Sequence, residues 1–89
     1  MNKNIPDNFD FFSEATFIID IKGQLNEDFS DYLCGLKIRH FTTQENIELT
    51  RLEGVLADQG ALIGVLTTLY EMRFPIVNLK IAEESNNLH

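Results

Sequence analysis

One stretch, from Leu52 to Arg73, constrains the fold of this chain more than any other. It reads LEGVLADQGALIGVLTTLYEMR, which predicts the end of an apolar strand, a tight turn and one amphipathic helix. Asp58 is the expected N-cap, because its carboxylate can accept hydrogen bonds from the free N–H groups of the first turn. Four apolar residues then recur at i, i+3, i+4 and i+7 and predict the buried face: Leu62, Val65, Leu66 and Leu69.

Gly64 lies inside this predicted helix, where a glycine costs about 1 kcal/mol relative to alanine. The interpretation we favour is that Gly64 lets the helix approach a sheet closely. The alternative is that Gly60 and Gly64 form a flat surface against which a partner's backbone packs.

The rest of the chain supplies the other strands and a second helix. Apolar and polar residues alternate over Ala15–Lys22, Leu36–Phe41 and Ile47–Val55, and a last strand follows Pro75. Helical spacing from Asn26 to Cys34 predicts a short helix, with an inward set of Leu25, Phe29, Tyr32, Leu33 and Leu36. Leu52 falls on the opposite parity from Ile47 and Leu49, so either a bulge interrupts the third strand or Leu52 faces the other side.

The resulting order, β-α-β-β-α-β, predicts an α+β, ferredoxin-like fold: a four-stranded antiparallel sheet with two helices on one face. Right-handed crossovers place strands one and three in the centre of this sheet. We divide the chain into an N-terminal arm (1–14), a single α+β domain (15–82) and a polar C-terminal tail (83–89).

The second face of such a sheet has no helices to cover it. Simple alternation places Ile18, Phe41, Ile76 and, without a bulge, Leu52 on that face. Large apolar groups in such number predict a covered surface. A second copy in an isologous homodimer is the cover we favour. The alternative cover is the arm, which carries Phe9, Phe11 and Phe12.

Charge narrows the choice of partners. The formal net charge is −7 and the seven basic residues are scattered along the sequence, which argues against nucleic acid and anionic membranes as partners. We expect no signal peptide and no membrane-spanning segment. The single cysteine, Cys34, cannot form an internal disulfide, which fits the cytoplasm.

Two segments resemble a family of small uncharacterised bacterial proteins. They are GQLNEDFSDYLCGLKI, from Gly23 to Ile38, and LEGVLADQGALIGVLTTLYEMRFPIV, from Leu52 to Val77. The more specific feature is the run Gly-x-x-x-Asp-Gln-x-Ala-Leu-x-Gly-x-Leu. The sequence departs from the usual pattern at Ile63, where a histidine is common, and at Arg73-Phe74, where Leu-Gly is common. The resemblance implies no catalytic residue.

The residues themselves also offer no obvious catalytic or metal site. Cys34 and His40 are separated by about 18–20 Å of mostly extended chain, which is too far for a nucleophile and its base. A zinc site would need more sulfur and imidazole ligands than one cysteine and one internal histidine. We therefore predict no catalytic residue, no metal and no cofactor.

The leading hypothesis is a non-enzymatic, self-associating protein-interaction module. The alternative is a small-ligand-binding sensor, because ACT-type regulatory domains share the predicted order and often bind amino acids at the first strand–helix turn. Its candidate ligand-binding residues are Gly23 and Gln24 at that turn and Gln59 beside the cap of the main helix.

Overall fold

The computed structural model describes residues 14–82, so the arm residues Phe9, Phe11 and Phe12 lie outside the described range. The elements are β1 (Ala15–Lys22), a 3-10 helix (Glu27–Leu33), β2 (Lys37–Thr42), β3 (Glu48–Leu56), α1 (Gln59–Glu71) and β4 (Ile76–Ala82). Each element that the sequence predicts is present, and the strand and helix ends agree to within a few residues.

The four strands form one antiparallel sheet in the order β2-β3-β1-β4. β1 and β3 lie in the centre and β2 and β4 form the edges. The coarse prediction of an α+β domain with a four-stranded antiparallel sheet is therefore confirmed.

The core lies between one face of this sheet and the two helices. Alternate residues of β1 point into it, and Leu25, Leu33, Val65 and Leu69 close it from the helical side. Both helices contribute residues to this single cluster. The sheet supplies its remaining large side chains: Phe17, Ile19, Ile21, Ile38, Leu52 and Leu56.

The alternative in which Leu52 lies on the uncovered face is wrong. Register between β1 and β3 runs without interruption, and Leu52 pairs with Ile19 and Ile38 as a fully buried residue. Leu49, three positions earlier, is the residue that faces the opposite side. The parity of a strand tells which residues share a face, but it does not tell which face is covered.

The other alternative, a bulge in β3, is not observed either, and the irregularity lies in the pairing of β4. The register of β4 on β1 shifts between Asp20 and Ile21, so that Ile76 pairs with the core residue Ile21. The alternation that placed Ile76 on the uncovered face is therefore broken before it reaches this residue.

The first helix is a 3-10 helix, and this changes which residues it buries. Asn26 caps it as predicted, because its side chain accepts a 2.7 Å hydrogen bond from the Asp28 N–H. A 3-10 helix has three residues per turn, so Phe29 and Tyr32 lie on the same side of it, next to the side that buries Leu33. Both aromatic residues are exposed, and their ring centroids are 6.0 Å apart. The predicted inward set thus loses these two aromatic residues.

Helix α1 begins and packs as the sequence predicts. Asp58 accepts a 2.9 Å hydrogen bond from the Ala61 N–H, and Val65 and Leu69 are buried. Gly64 contradicts its prediction, because it is exposed and a Cβ built on it meets no described atom within 4 Å. The close approach occurs at Gly54 in β3, where a Cβ would lie 2.9 Å from Cδ2 of the buried Leu36.

Two glycine substitutions should therefore have opposite effects. Gly64→Ala should raise the free energy of unfolding by about 1 kcal/mol, because it adds helix propensity in open space. Gly54→Val should lower it by about 1–3 kcal/mol, because Leu36 must move within a packed core. Urea unfolding of both variants measures this. A destabilised Gly64→Ala chain would mean that the outer face of α1 is covered.

The capping interaction gives a second prediction. Asp58→Ala should lower the free energy of unfolding by about 1 kcal/mol, because the first turn of α1 loses an acceptor for its N–H groups. Asp58→Asn is the matched control, since an amide oxygen can still accept the hydrogen bond from Ala61. Equal stability of the two variants in urea unfolding would contradict the capping role.

Candidate functional site

The candidate site is the open face, the side of the sheet turned away from the buried core. Register places thirteen charged, polar and large apolar residues there, in neighbouring rows across the strands. They are Thr16, Ile18, Asp20, Lys22, Lys37, Arg39, Phe41, Leu49, Arg51, Glu53, Val55, Asn78 and Lys80. Two predicted interface residues, Ile18 and Phe41, are among them.

A buried ion pair forms the centre of the open face. Asp20 on β1 is only 5 % exposed and lies directly opposite Arg51 on β3 and Asn78 on β4. Arg51 donates from Nε to Oδ1 at 2.8 Å and from Nη2 to Oδ2 at 3.0 Å, and Asn78 Nδ2 donates to Oδ2 at 3.2 Å. The bidentate geometry holds both side chains in one orientation and ties three strands together.

The same contacts shift the ionisation of both partners. Hydrogen bonding from Arg51 lowers the pKa of Asp20 below its usual value, and this effect exceeds the opposing effect of burial. Hydrogen bonding to Asp20 in turn raises the pKa of Arg51. Both groups therefore remain charged at neutral pH, so that the pair has no proton to exchange.

A shallow cleft lies beside the ion pair, towards the edge of the sheet. It has a volume of about 190 Å³ and is lined by Arg39, His40, Phe41 and Arg51. The Arg51 guanidinium carbon lies 5.4 Å from the centre of the Phe41 ring, which is within range of a cation–π interaction. Arg39 is directly opposite Arg51 across the strands and makes a long, exposed contact of 3.4 Å with Glu53.

The basic residues are concentrated on this face, although they are scattered in the sequence. Five of the six lysines and arginines between residues 14 and 82 lie there, with only two carboxylates, which leaves a formal charge of +3. The rest of that range carries eight carboxylates and one cation, Arg73. A chain of net charge −7 thus presents one cationic surface.

Apolar groups are interspersed with these cations. Phe41 is 39 % exposed, Val55 on the same side of β3 is 56 % exposed, and Ile18 and Leu49 are half-buried. A surface that mixes exposed apolar groups with cations suits a partner that carries both apolar and acidic side chains.

The structure separates the predicted ligand-binding residues. Gly23 and Gln24 follow the end of β1, which pairs with the start of β3, whereas Gln59 follows the end of β3. Seven residue steps of antiparallel strand, about 23 Å, lie between the two ends of the sheet. This separation argues against a single ligand that contacts all three residues.

The turn at Gly23 is instead held by the protein's own groups. The hydroxyl of buried Thr50 donates to the Gly23 carbonyl at 2.7 Å and accepts from the Leu25 N–H at 3.0 Å. His40 Nε2 lies 2.6 Å from the Leu25 carbonyl. Gly23 has φ of +106°, which disfavours any side chain there. These contacts give the glycine and the histidine structural roles.

Within residues 14–82, no helix is long and apolar enough to cross a membrane. The same range contains no group of three His, Cys, Asp or Glu side chains placed to hold a metal ion. Cys34 is exposed and caps the C-terminus of the 3-10 helix in a left-handed backbone conformation.

Sequence reasoning missed the Asp20–Arg51–Asn78 cluster. The one available signal was a carboxylate inside the apolar strand ATFIIDIK, because an acid in such a run needs a partner. Identifying Arg51 and Asn78 as its partners needs the register of β3 and β4, which residue spacing does not provide.

The ion pair yields a test by substitution and pH. Asp20→Asn should lower the free energy of unfolding by about 1–3 kcal/mol at pH 7, because Arg51 loses its counter-charge but remains partly hydrated. The folded pKa of Asp20 lies below its unfolded value, so its contribution is present at neutral pH and is lost as pH falls through the folded pKa. Urea unfolding at pH 7 and pH 3 should therefore show a smaller difference between wild type and variant at pH 3.

Glu53→Gln is the matched control for this experiment, because its contact with Arg39 is exposed and should contribute little. An equal loss of stability in the two variants at pH 7 would contradict a special role for Asp20.

Comparison with known proteins gives a family but no activity. A family model described as Domain of unknown function (DUF8691) matches residues 16–80. This range includes β2, β3 and both helices in full, and most of β1 and β4. Neither the curated proteins nor the solved structures contain a match to the chain. Since the family model covers well over half of its length, the chain belongs to the DUF8691 family of domains of unknown function.

Proposed function

We propose that this chain is a non-enzymatic protein-interaction module of ferredoxin-like fold, and that its open face binds an acidic segment of a partner protein. The observation that carries this proposal is the concentration of five cations on one sheet face of an acidic chain. A cytoplasmic location, predicted from the single cysteine, remains part of the proposal.

The ferredoxin-like assignment is supported by strand order and by the position of the core. The order β2-β3-β1-β4 has the first and third strands in the centre, as expected for a split β-α-β fold. Both helices pack into one cluster on one face. This arrangement leaves the other face available to a partner.

The electrostatics favour an acidic ligand of limited length. Asp20 and Glu53 partly neutralise Arg51 and Arg39, but Lys22, Lys37 and Lys80 have no ion pair among the described residues. A short acidic segment would meet only this cationic face. A long polyanion such as nucleic acid would also approach the eight carboxylates on the rest of the described surface and would be repelled by them.

The apolar residues of the open face define the second requirement for the partner. Ile18, Phe41 and Leu49 can bury apolar side chains, which supply most of the affinity of protein interfaces. The cations add selectivity and speed of association. We therefore propose that the bound segment combines acidic residues with aromatic or aliphatic ones.

Self-association through this face is the arrangement that the sequence analysis favours, but the charge of the face disfavours it. An isologous contact would bring two surfaces of formal charge +3 together. A segment with carboxylates has no such repulsion. The small-ligand sensor is weakened for a different reason, since Gln59 is at the far end of the sheet from Gly23 and Gln24.

A peptide titration tests the proposal. The full chain, labelled with ¹⁵N, is titrated with a ten-residue peptide that alternates Glu and Phe, and with the corresponding Lys-Phe peptide. We expect amide shifts in β1, β2 and β3 with the acidic peptide only. Raising NaCl from 0.1 to 1 M should weaken binding, because the Debye length falls from about 10 to about 3 Å.

Charge reversal identifies the surface involved. Lys37→Glu, Arg39→Glu and Lys80→Glu, combined, should weaken acidic-peptide binding at least ten-fold, because all three side chains lie exposed on the open face. Arg73→Glu is the matched control, because Arg73 follows α1 and lies off that face. Equal losses in the two chains, or tighter binding of a ten-nucleotide oligothymidine than of the peptide, would contradict the proposal. A homodimer in sedimentation that excludes the peptide would assign the face to a second copy.

A further inference from the structure

We propose that the segment from Asp7 to Glu14 of the same chain docks on the open face and competes there with the acidic segment of the partner. This inference rests on the proposed function, because it assumes that the face recognises acidic and apolar side chains together. It goes further by naming one occupant and by making access to the face a regulated property.

The composition of this segment matches the surface. It carries three carboxylates, from Asp7, Asp10 and Glu14, and three phenylalanines, Phe9, Phe11 and Phe12, with no lysine or arginine. The open face offers the complementary groups, five cations and a set of exposed or half-buried apolar residues. No second segment of the printed sequence combines three carboxylates and three phenylalanines within eight residues.

The point of attachment also fits. The segment leads directly into Ala15, the first residue of the central strand β1, so a reversal of the chain near Ser13 and Glu14 would direct it over the sheet. The open face runs from Thr16 to Lys22, six residue steps or about 20 Å. Counted from a reversal at Ser13, Phe9 lies four residue steps away and reaches about 13 Å, which covers the Val55 and Ile18 rows of the face.

The two ends of the open face suit the two kinds of side chain. Near the start of β1 the face presents Thr16 and the exposed Val55, and Ile18 follows one row further along. Lys37 and Lys80 flank the Ile18 row at the two edge strands. Phenylalanines entering along β1 would therefore meet apolar groups in the middle of the sheet, with lysines on both sides for the carboxylates.

Tethering gives this segment an advantage over a free peptide of the same composition. A short linker holds it at an effective concentration in the millimolar range, so even weak contacts can keep the face occupied. A partner segment must then exceed the tethered one in affinity or in local concentration. The wild-type chain should consequently bind external acidic peptides less tightly than a chain with a weakened segment.

The test uses full-length chains and the same Glu-Phe peptide. The combined variant Phe9→Ser, Phe11→Ser and Phe12→Ser should bind the peptide about ten-fold more tightly than wild type. Asn2→Ser, Lys3→Ser and Asn4→Ser, combined, form the control, since they alter the same number of positions outside the proposed segment. In the wild-type chain, nuclear Overhauser contacts should join the rings of Phe9, Phe11 and Phe12 to methyl groups of Ile18 or Val55.

Each outcome separates the two proposals. If wild type and the phenylalanine variant bind the peptide equally, and the charge-reversed face does not, the face binds acidic segments but the tethered segment does not occupy it. If neither chain binds the peptide, the proposed function itself fails. If the contacts to Ile18 arise between different molecules, as isotope-filtered spectra of mixed labelled and unlabelled chains would show, a second copy supplies the segment and docking within one chain is refuted.

Discussion

The paired charges of Asp20 and Arg51 are the interaction on which the open face depends. A carboxylate in the middle of the central strand, 5 % exposed, is tolerated only because Arg51 and Asn78 bond to both of its oxygens. A slip of one residue in β3 would leave that charge without its counter-ion, and a slip in β4 would remove the Asn78 hydrogen bond. The cluster of Asp20, Arg51 and Asn78 therefore stabilises the register of three strands, and it positions Arg51 against Phe41.

Much of the fold could be predicted from local patterns, because each element has its own signal. The Asp58 cap, the spacing of Leu62 to Leu69 and the alternation in Ala15–Lys22 depend on neighbouring residues alone, and the structure confirms them. The prediction for Gly64 needed knowledge of the facing element, and it failed. Gly64 was assigned a close contact that occurs at Gly54, because a glycine in the sequence does not reveal what lies opposite it.

The candidate site shows the same contrast between local patterns, which the sequence reveals, and pairing between strands, which it does not. Alternation was sufficient to place Ile18 and Phe41 on the uncovered face, but the bulge in β4 altered the pairing of Ile76. The five cations come from four strands and only register brings them together, so their concentration was invisible in the sequence. Composition shows that the net charge of the chain is negative, whereas the surface proposed to bind the partner is positive.

This division of charge also makes the described part of the chain, residues 14–82, strongly dipolar whenever the segment from Asp7 to Glu14 is off the open face. One side of the sheet is positive, while the helical side and the connections carry most of the carboxylates. A dipole of this kind turns in the field of a charged partner before contact is made, so that encounters begin in a restricted range of orientations. Between identical copies the same dipole favours stacking of front against back. Such contacts do not close upon themselves, so crowding at low ionic strength would favour chains of molecules rather than discrete pairs.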